Sequence, residues 1–227
     1  PGGILVFFPS YGAMETAVER WGGPASERRS SGGRQSGASF FAAKRKKKSS
    51  KCVFPMVPNY FRTSAETPWQ RLLARKAIVL EPRTTSELTD AISEYKRFIT
   101  TPRSSGAILM GVCRGKISEG IDFSDDMARA VVVTGLPFAP YLDPKVKLKR
   151  EFLDAARASS NSRPSIDGGF GNGNLPVKVE AQRKTLSGAE WYNQQAHRAV
   201  NQAIGRVIRH RHDYGAILLL DHRFAQV

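Results

Sequence analysis

Apolar residues along this chain fall into short continuous runs, and amphipathic segments separate one run from the next. The runs lie at 4–8, 77–81, 107–112, 130–134 and 216–220. Short apolar runs without alternation are typical of parallel strands that are buried on both faces. Helical spacing of apolar residues predicts helices over 13–21, 86–100, 145–158 and 187–209. This order of elements predicts an α/β fold, in which helices cover both faces of a parallel sheet.

Two stretches, 22–66 and 159–185, lack this pattern. The first is rich in Gly, Ser, Lys and Arg, and the second in Gly, Ser and Asn. Such compositions bury too little apolar surface to fold, so we expect a disordered basic insertion and a disordered loop. The remaining chain, about 155 residues, is long enough for a domain with its own core. We therefore expect one domain over 1–227 that carries two insertions.

The charge of the chain is strongly positive, with 35 Lys and Arg against 20 Asp and Glu. This excess favours a polyanionic partner such as nucleic acid. It is uneven, because ten Lys and Arg and one acid, Glu27, lie within 20–51. The dense basic run at 44–48 fits a nuclear localisation signal or a non-specific DNA contact, and it fits a solvated tether equally well.

Cysteine and histidine usage excludes several kinds of site. The chain has two cysteines, too few for a disulfide framework or a four-ligand metal site. Cys113 ends an apolar run and is expected to be a small buried hydrophobe. The four histidines show no metal-binding spacing, and His197 is expected in the core. No apolar run is long enough to span a membrane, so we expect no membrane partner.

The segment 201–209 carries an amide and two guanidinium groups at helical spacing. The polar face of the predicted helix consists of Gln195, Arg198, Gln202, Arg206 and Arg209. The opposite, apolar face consists of Val200, Ile204 and Val207. Gly205 lies at the edge of the polar face, where its missing side chain would let a ligand approach. Guanidinium groups at fixed spacing suit a polyphosphate or its transition state.

Three further segments accompany this helix: Phe-Phe-Pro-Ser-Tyr at 7–11, Arg-Gly-Lys-Ile-Ser-Glu-Gly-Ile-Asp-Phe at 114–123 and Tyr-Gly-Ala-Ile-Leu-Leu-Leu-Asp at 214–221. In this order the four segments resemble motifs IV, V and VI and the last strand of the second motor domain of superfamily 2 DNA helicases. The variant is that of the XPD-like iron–sulphur helicases, and the telomere-elongation-regulator branch is the most similar. The resemblance implies a RecA-like sheet. The excision-repair and cohesion branches stay open.

The resemblance also implies roles for individual residues. Arg206 is expected to be the arginine finger of ATP hydrolysis, with Arg209 and Gln202 beside the nucleotide. The residues expected to bind ATP are Glu119, Gly120, Asp122 and Gly205. Gly120 and Asp122 are also expected to brace the two arginines. The residues expected to grip a single-stranded DNA backbone are Ser10, Tyr11, Arg114, Lys116 and Ser118.

A complete helicase needs a P-loop and a Walker B acid pair, and neither occurs in this sequence. The chain lacks an initial Met and reads as a fragment, so ATP and Mg are expected to be shared with an N-terminal motor domain. The iron–sulphur cluster of the family is expected elsewhere in the full-length protein. The expected function is a nuclear ATP-dependent DNA helicase that acts on single-stranded and forked DNA in repair and telomere maintenance. A non-catalytic nucleic-acid-binding module is the alternative.

Overall fold

A six-stranded sheet in the order β2-β3-β4-β1-β5-β6 forms the centre of the fold. The computed structural model describes residues 2–24, 52–56, 66–161 and 186–226. The strands are β1 Ile4–Phe8, β2 Val53–Phe54, β3 Ala77–Leu80, β4 Ala107–Val112, β5 Ala130–Val133 and β6 Ala216–Leu219. All neighbouring strands are parallel except β2 and β3, which are antiparallel. The predicted parallel α/β sheet is confirmed, with one antiparallel strand added at its edge.

The added strand β2 lies inside the stretch 22–66, which was predicted not to pack, and that prediction is wrong for residues 52–56. Val53 pairs with Val79 of β3, and the Phe54 ring meets the Trp69 ring edge-on at 5.4 Å. Two apolar residues give no periodic signal, so the sequence pattern could not reveal this strand. The other parts of the predicted insertion, 25–51 and 57–65, lie outside the described residues.

In the described parts of the chain, six α-helices connect or follow the strands. They are α1 Tyr11–Arg20, α2 Pro68–Leu73, α3 Thr85–Thr100, α4 Lys116–Gly120, α5 Pro144–Asn161 and α6 Gly188–Ile204. Because α5 continues to Asn161, the predicted loop at 159–185 begins three residues too early, and its remainder lies outside the described residues. The end of α1 and the start of α2 meet, because the Trp69 N–H donates to the Trp21 carbonyl at 2.9 Å.

The compact unit Pro1–Pro137 with Ala199–Val227 contains the sheet, and its core has two layers. On one face, Val6, Ile108 and Met110 pack with Met14 of α1 and Trp69 of α2. The strand residues that alternate with these face the other way, toward α3, whose Ala91 and Tyr95 are fully buried. Helices therefore cover both faces of this sheet, as the sequence pattern predicts.

Residues Phe138–Arg198 form a second compact unit, whereas the sequence predicted one domain over 1–227. This unit holds α5 and the first turns of α6. A capping box begins α6, since the Glu190 N–H donates to Ser187 Oγ at 3.1 Å and the Ser187 N–H donates to Glu190 Oε2 at 2.8 Å. None of the helices in the described ranges combines the length and apolar composition needed to cross a bilayer.

Candidate nucleotide and nucleic-acid sites

The residues expected to contact DNA lie in the segments that follow the carboxyl ends of β1 and β4, and these two strands are neighbours in the sheet. The Cys113 N–H donates to the Phe8 carbonyl at 2.9 Å, so the chain segments that leave these two strands start side by side. Ser10 is exposed, and its hydroxyl caps α1 by accepting from the Ala13 N–H at 3.2 Å. The parallel register thus places the start of the segment that carries Ser10 beside the start of the segment that carries Arg114, although the two are far apart in sequence.

Tyr11 is half-buried at the start of α1, where Arg83 and Glu81 both interact with its side chain. The Arg83 guanidinium lies 5.1 Å from the centre of its ring, and Arg83 pairs with Glu15 at 2.7 Å. Burial, followed by the negative charge and hydrogen bond of Glu81, raises the pKa of Tyr11 to about 12. The Tyr11 hydroxyl therefore stays protonated and can donate a hydrogen bond.

Glu81, which the sequence analysis did not single out, is a buried acid directly after β3. Its Oε2 accepts from the Val112 N–H at 2.7 Å, and its Oε1 accepts from the Ile117 N–H at 3.4 Å. Burial raises the pKa of Glu81, while the hydrogen bonds from Val112, Ile117 and Tyr11 oppose that rise. An acid that follows a buried parallel strand was the signal that could have identified it.

The three motif V residues expected to bind DNA have different surroundings. Arg114 is exposed and adopts a left-handed backbone, with φ at 62°. The Lys116 ammonium donates to Thr85 Oγ1 at 2.7 Å and to the Arg83 carbonyl at 3.3 Å. Ser118 is fully buried, and its hydroxyl donates to the Gly115 carbonyl at 2.8 Å. The buried Ser118 hydroxyl thus stabilises the start of α4, whereas Arg114 and Lys116 lie at the surface.

The helix predicted through Arg209 ends earlier, and this part of the prediction is wrong. Helix α6 stops at Ile204, and the Arg206 N–H donates to the Ala203 carbonyl at 3.2 Å in a tighter turn. The glycine at 205 is a poor helix former, so the regular helix does not continue past it. The expected apolar packing is confirmed for Val200 and Val207, which are buried.

Both arginines of this turn contact the segment that follows α4. Arg206 Nη1 donates to the Ile121 carbonyl at 3.2 Å, and Arg209 Nη2 pairs with Asp122 Oδ1 at 3.1 Å. Among the described residues, no acceptor lies within hydrogen-bonding distance of the buried Arg206 Nε. Two guanidinium groups are thus held together at one place, although they do not share a helix face.

The remaining residues expected at the nucleotide lie around these arginines. Gln202 and Gly205 are exposed at the end of α6. Gly120 is also exposed, and a Cβ atom there would meet nothing within 4 Å. Glu119 lies in α4. Gly120 therefore leaves open space beside the Asp122–Arg209 pair instead of bracing it, and the bracing groups are the Asp122 carboxylate and the Ile121 carbonyl.

Asp213, which was also missed, fixes the turn that carries Arg209. Its fully buried carboxylate accepts from the Arg209 N–H at 3.1 Å, the Tyr214 N–H at 2.9 Å and Arg129 Nη1 at 2.8 Å. These are contacts between distant parts of the chain, which no local pattern reports. The carboxylate thus sets the backbone position from which the Arg209 side chain extends.

His210 of the same turn lies beside two carboxylates. Its Nε2 is 3.2 Å from Asp125 Oδ1, and ligand atoms of Asp125, His210 and Asp213 lie within 4.8 Å of one another. The spacing of the histidines gave no indication of this grouping. Since Asp213 already accepts hydrogen bonds from Arg129 and from main-chain N–H groups, hydrogen bonding accounts for the cluster.

Comparison with known proteins decides the family of this chain. The sequence profile of the helicase C-terminal domain matches residues 1–227. The chain belongs to this helicase family. The regulator of telomere elongation helicase 1 homolog of Oryza sativa subsp. japonica is 41% identical over 225 residues, which are 99% of this chain and 17% of that protein. Regulator of telomere elongation helicase 1 is 41% identical in Mus musculus and 40% identical in Homo sapiens, each over 99% of this chain and 14% of that protein.

These relatives confirm the resemblance to the XPD-like helicases and their telomere-elongation-regulator branch. This helicase domain spans only 14–17% of the length of the curated relatives cited. The solved structure of S. tokodaii Xpd4 is similar over 99% of this chain and 27% of that chain, at 15% identity and a TM-score of 0.42.

In this helicase domain, α4 connects the two groups of candidate residues. Lys116 and Ile117 begin the helix beside Glu81, and Ile121 and Asp122 follow its end beside the arginines. A helix rises about 1.5 Å per residue, so five residues span roughly 7 Å.

The two cysteines of this helicase domain do not fit an iron–sulphur cluster, which four thiolates hold. Cys113 is buried, as predicted, and Cys52 is half-buried. Burial raises the pKa of Cys113 to about 12, so its sulphur stays protonated at neutral pH.

Proposed function

We propose that this chain is the C-terminal motor domain of an ATP-dependent DNA helicase. In this proposal the domain couples ATP hydrolysis to translocation on single-stranded DNA and to duplex unwinding. The arrangement of Arg206 and Arg209 against the segment after α4 carries the proposal. Membership of the helicase C-terminal domain family supports it.

Arg206 is the proposed arginine finger. Phosphoryl transfer needs positive charge near the γ-phosphate as the bond to the leaving group breaks. A guanidinium has five N–H donors, and the Ile121 carbonyl accepts from one nitrogen of Arg206. Because Nε is buried, Nη2 is the group proposed to reach a triphosphate, while the bond to Ile121 holds the side chain in place. Arg209, paired with Asp122, adds a second positive charge next to it.

ATP and Mg²⁺ are proposed to bind between this domain and an N-terminal motor domain. The residues of this chain that would face the nucleotide are Gln202, Arg206, Arg209 and Asp122. Gly120 and Gly205 would leave room for it, since both are exposed. Mg²⁺ bound with ATP supplies charge neutralisation on the phosphates, and its carboxylate ligands are proposed to come from the N-terminal domain. The iron–sulphur cluster is also proposed to lie outside this chain.

The proposed DNA surface is formed by Ser10, Tyr11, Arg114 and Lys116 at the carboxyl ends of β1 and β4. Basic groups, hydroxyls and main-chain N–H groups bind a phosphate backbone without reading its sequence. Such contacts suit a motor that must move along any sequence. The relatives are named as regulators of telomere elongation. We therefore propose that the protein acts in the nucleus, in telomere maintenance and DNA repair, and that its substrates are single-stranded and forked DNA.

Replacing Arg206 tests this function directly. In the complete protein, Arg206→Ala is expected to lower single-strand-stimulated ATP hydrolysis by about 10³-fold, because the positive charge on the transferred phosphoryl is lost. The matched control is Arg211→Ala, which removes an exposed arginine of the same turn and is expected to keep most of the activity. Melting temperatures of both variants show whether the fold is intact.

ATP hydrolysis near the wild-type rate in Arg206→Ala would contradict the assignment of Arg206 as the arginine finger. Absence of DNA-stimulated hydrolysis in the complete wild-type protein would contradict the motor function itself. In that case DNA binding without hydrolysis would favour a non-catalytic module.

A further inference from the structure

The Glu81 carboxylate is the most deeply placed charged group between the segments of the proposed DNA surface. Its side chain is 3% exposed. Its partners are the main-chain N–H groups of Val112, Lys116 and Ile117 and the hydroxyl of Tyr11. These partners belong to three different parts of the chain: the last residue of β4, the first turn of α4 and the first residue of α1. One side chain thus joins three elements.

Two glycines make the space in which this carboxylate lies. A Cβ atom at Gly115 would come within 2.7 Å of Glu81 Oε1 and 2.9 Å of Oε2. A Cβ atom at Gly111 would come within 3.0 Å of Oε2. Real Cβ atoms essentially never approach another atom within 3.0 Å, so a side chain at Gly115 would displace the carboxylate or the turn, and one at Gly111 would push the carboxylate by a few tenths of an ångström. The turn between β4 and α4 is therefore built around the acid.

The surroundings of the acid coincide with the residues proposed to hold DNA. Arg114 lies between Val112 and Ile117, whose N–H groups bind the carboxylate on either side of it. The left-handed backbone at Arg114, with φ at 62°, is unfavourable for a residue with a side chain and requires support from its neighbours. At the start of α1, Tyr11 donates to the same carboxylate. Motif IV and motif V are thus fixed relative to each other through one group.

We infer that Glu81 is a positioning residue for single-stranded DNA, holding the Arg114 turn and Tyr11 in the arrangement that grips the phosphate backbone. The inference rests on the proposed function, since it concerns the DNA surface of that motor. Glu81 does not touch DNA, because it is buried beneath the residues that do. It acts by accepting hydrogen bonds from four donors at once, and only a group without donors of its own can do so.

Glutamine is the informative replacement. It has nearly the same shape as glutamate, but its amide NH₂ is a donor. Whichever way the amide turns, its NH₂ meets the Val112 N–H or the Ile117 N–H, and two donors then face each other. The turn must shift to relieve this conflict, although no volume is added or removed. The variant therefore separates the hydrogen-bonding role of Glu81 from its packing.

The experiment measures binding of a fluorescein-labelled dT20 oligonucleotide to the complete protein by anisotropy. Glu81→Gln is expected to weaken binding about tenfold or more, the loss typical of a residue that orients a binding group. The matched control is Glu94→Gln, an acid of α3 that pairs with Arg97 at 2.6 Å and is expected to bind dT20 like the wild type. In DNA-stimulated ATP hydrolysis, the dT20 concentration for half-maximal rate should rise by a similar factor, while the rate at saturating dT20 changes less than about threefold.

The outcomes separate the two proposals. Wild-type protein that does not bind dT20 would overturn the proposed DNA surface. If the wild type binds and Glu81→Gln binds within about threefold of it, the positioning role is overturned while the proposed function stands. If Glu81→Gln fails to fold, Gly111→Ala replaces it, since the added Cβ atom would come within 3.0 Å of Glu81 Oε2 and Gly111 is not among the residues proposed to hold DNA. Weaker binding by about threefold or more then supports the role, and unchanged affinity overturns it.

Discussion

Several buried polar side chains of this domain bond to the main chain of another segment. Glu81 accepts from Val112 and Ile117, and Asp213 accepts from Arg209 and Tyr214. A buried N–H or carbonyl without a partner costs about 1–3 kcal/mol, so each such bond stabilises one loop conformation over others. The turns that present Arg114 and Arg209 are thus fixed by acids that do not themselves face a ligand.

Cys113 provides a test of burial at the residue scale. An ordinary thiol has a pKa of about 8.5, so it is largely ionised at pH 9. Burial raises the pKa of Cys113 to about 12, and the thiol therefore stays protonated until the pH approaches that value. We expect iodoacetamide to leave Cys113 unmodified in the native protein at pH 9, and mass spectrometry measures the modification.

Protein unfolded in urea is the control for Cys113, since both cysteines should then react. Cys52, which is half-buried, is the internal comparison in the native protein. Equal rates of Cys113 modification in native and unfolded protein would show that the strand end at β4 is open to solvent.

At the scale of elements, the apolar runs predicted those strands whose own residues are buried in the core. The bounds of β1 and β4 match their runs because every residue in them is apolar and nearly all are buried. The end of α6 was predicted wrongly, because a helical wheel assumes that the helix continues, and at Gly205 it does not. Glu81 and Asp213 were missed because their roles depend on segments that meet only in the folded chain.

Helix α3 is joined by one hydrogen bond to the short 3₁₀ helix before β5, Asp125–Met127. The fully buried Tyr95 hydroxyl donates to the Met127 carbonyl at 2.6 Å. Tyr95→Phe keeps the ring and leaves that carbonyl without its partner, so we expect the free energy of unfolding to fall by about 1–3 kcal/mol. Urea unfolding followed by circular dichroism measures this change.

The control for Tyr95 is Tyr214→Phe, because the Tyr214 side chain is largely exposed. That change is expected to alter the free energy of unfolding by less than about 0.5 kcal/mol. Equal effects of the two replacements would show that the hydrogen bond from Tyr95 to the Met127 carbonyl does not stabilise the contact between α3 and the 3₁₀ helix.

On the scale of the whole molecule, much of the positive charge lies in a stretch of sequence that contains none of the residues proposed to grip DNA. Residues 25–51 contain nine Lys and Arg and one Glu, in a chain whose net charge is +15. Each phosphate neutralised on DNA binding releases counterions, so affinity falls steeply with salt when many cations take part. Salt dependence can therefore distinguish a basic segment that binds DNA from one that is only a solvated tether.

Deletion of residues 25–51 makes this distinction. If Ser10, Tyr11, Arg114 and Lys116 form the DNA surface without the basic segment, the slope of log affinity for dT20 against log salt should change by less than about one unit. Affinity measured by anisotropy between 50 and 200 mM salt, roughly the range in which such slopes are resolved, gives the answer. A slope reduced by about three units or more would assign several phosphate contacts to the basic segment.

The hydrogen bond between the Trp21 carbonyl and the Trp69 N–H bears on how this domain tolerates added sequence. It joins the chain before residue 22 to the chain after residue 68, so the two ends of the intervening segment, which contributes β2 to the sheet, lie at the same place. Doubling the length of such a closed excursion costs only about 0.6 kcal/mol in chain entropy. An affinity tag inserted between residues 25 and 51 is therefore expected to cost little stability and to leave the sheet undisturbed.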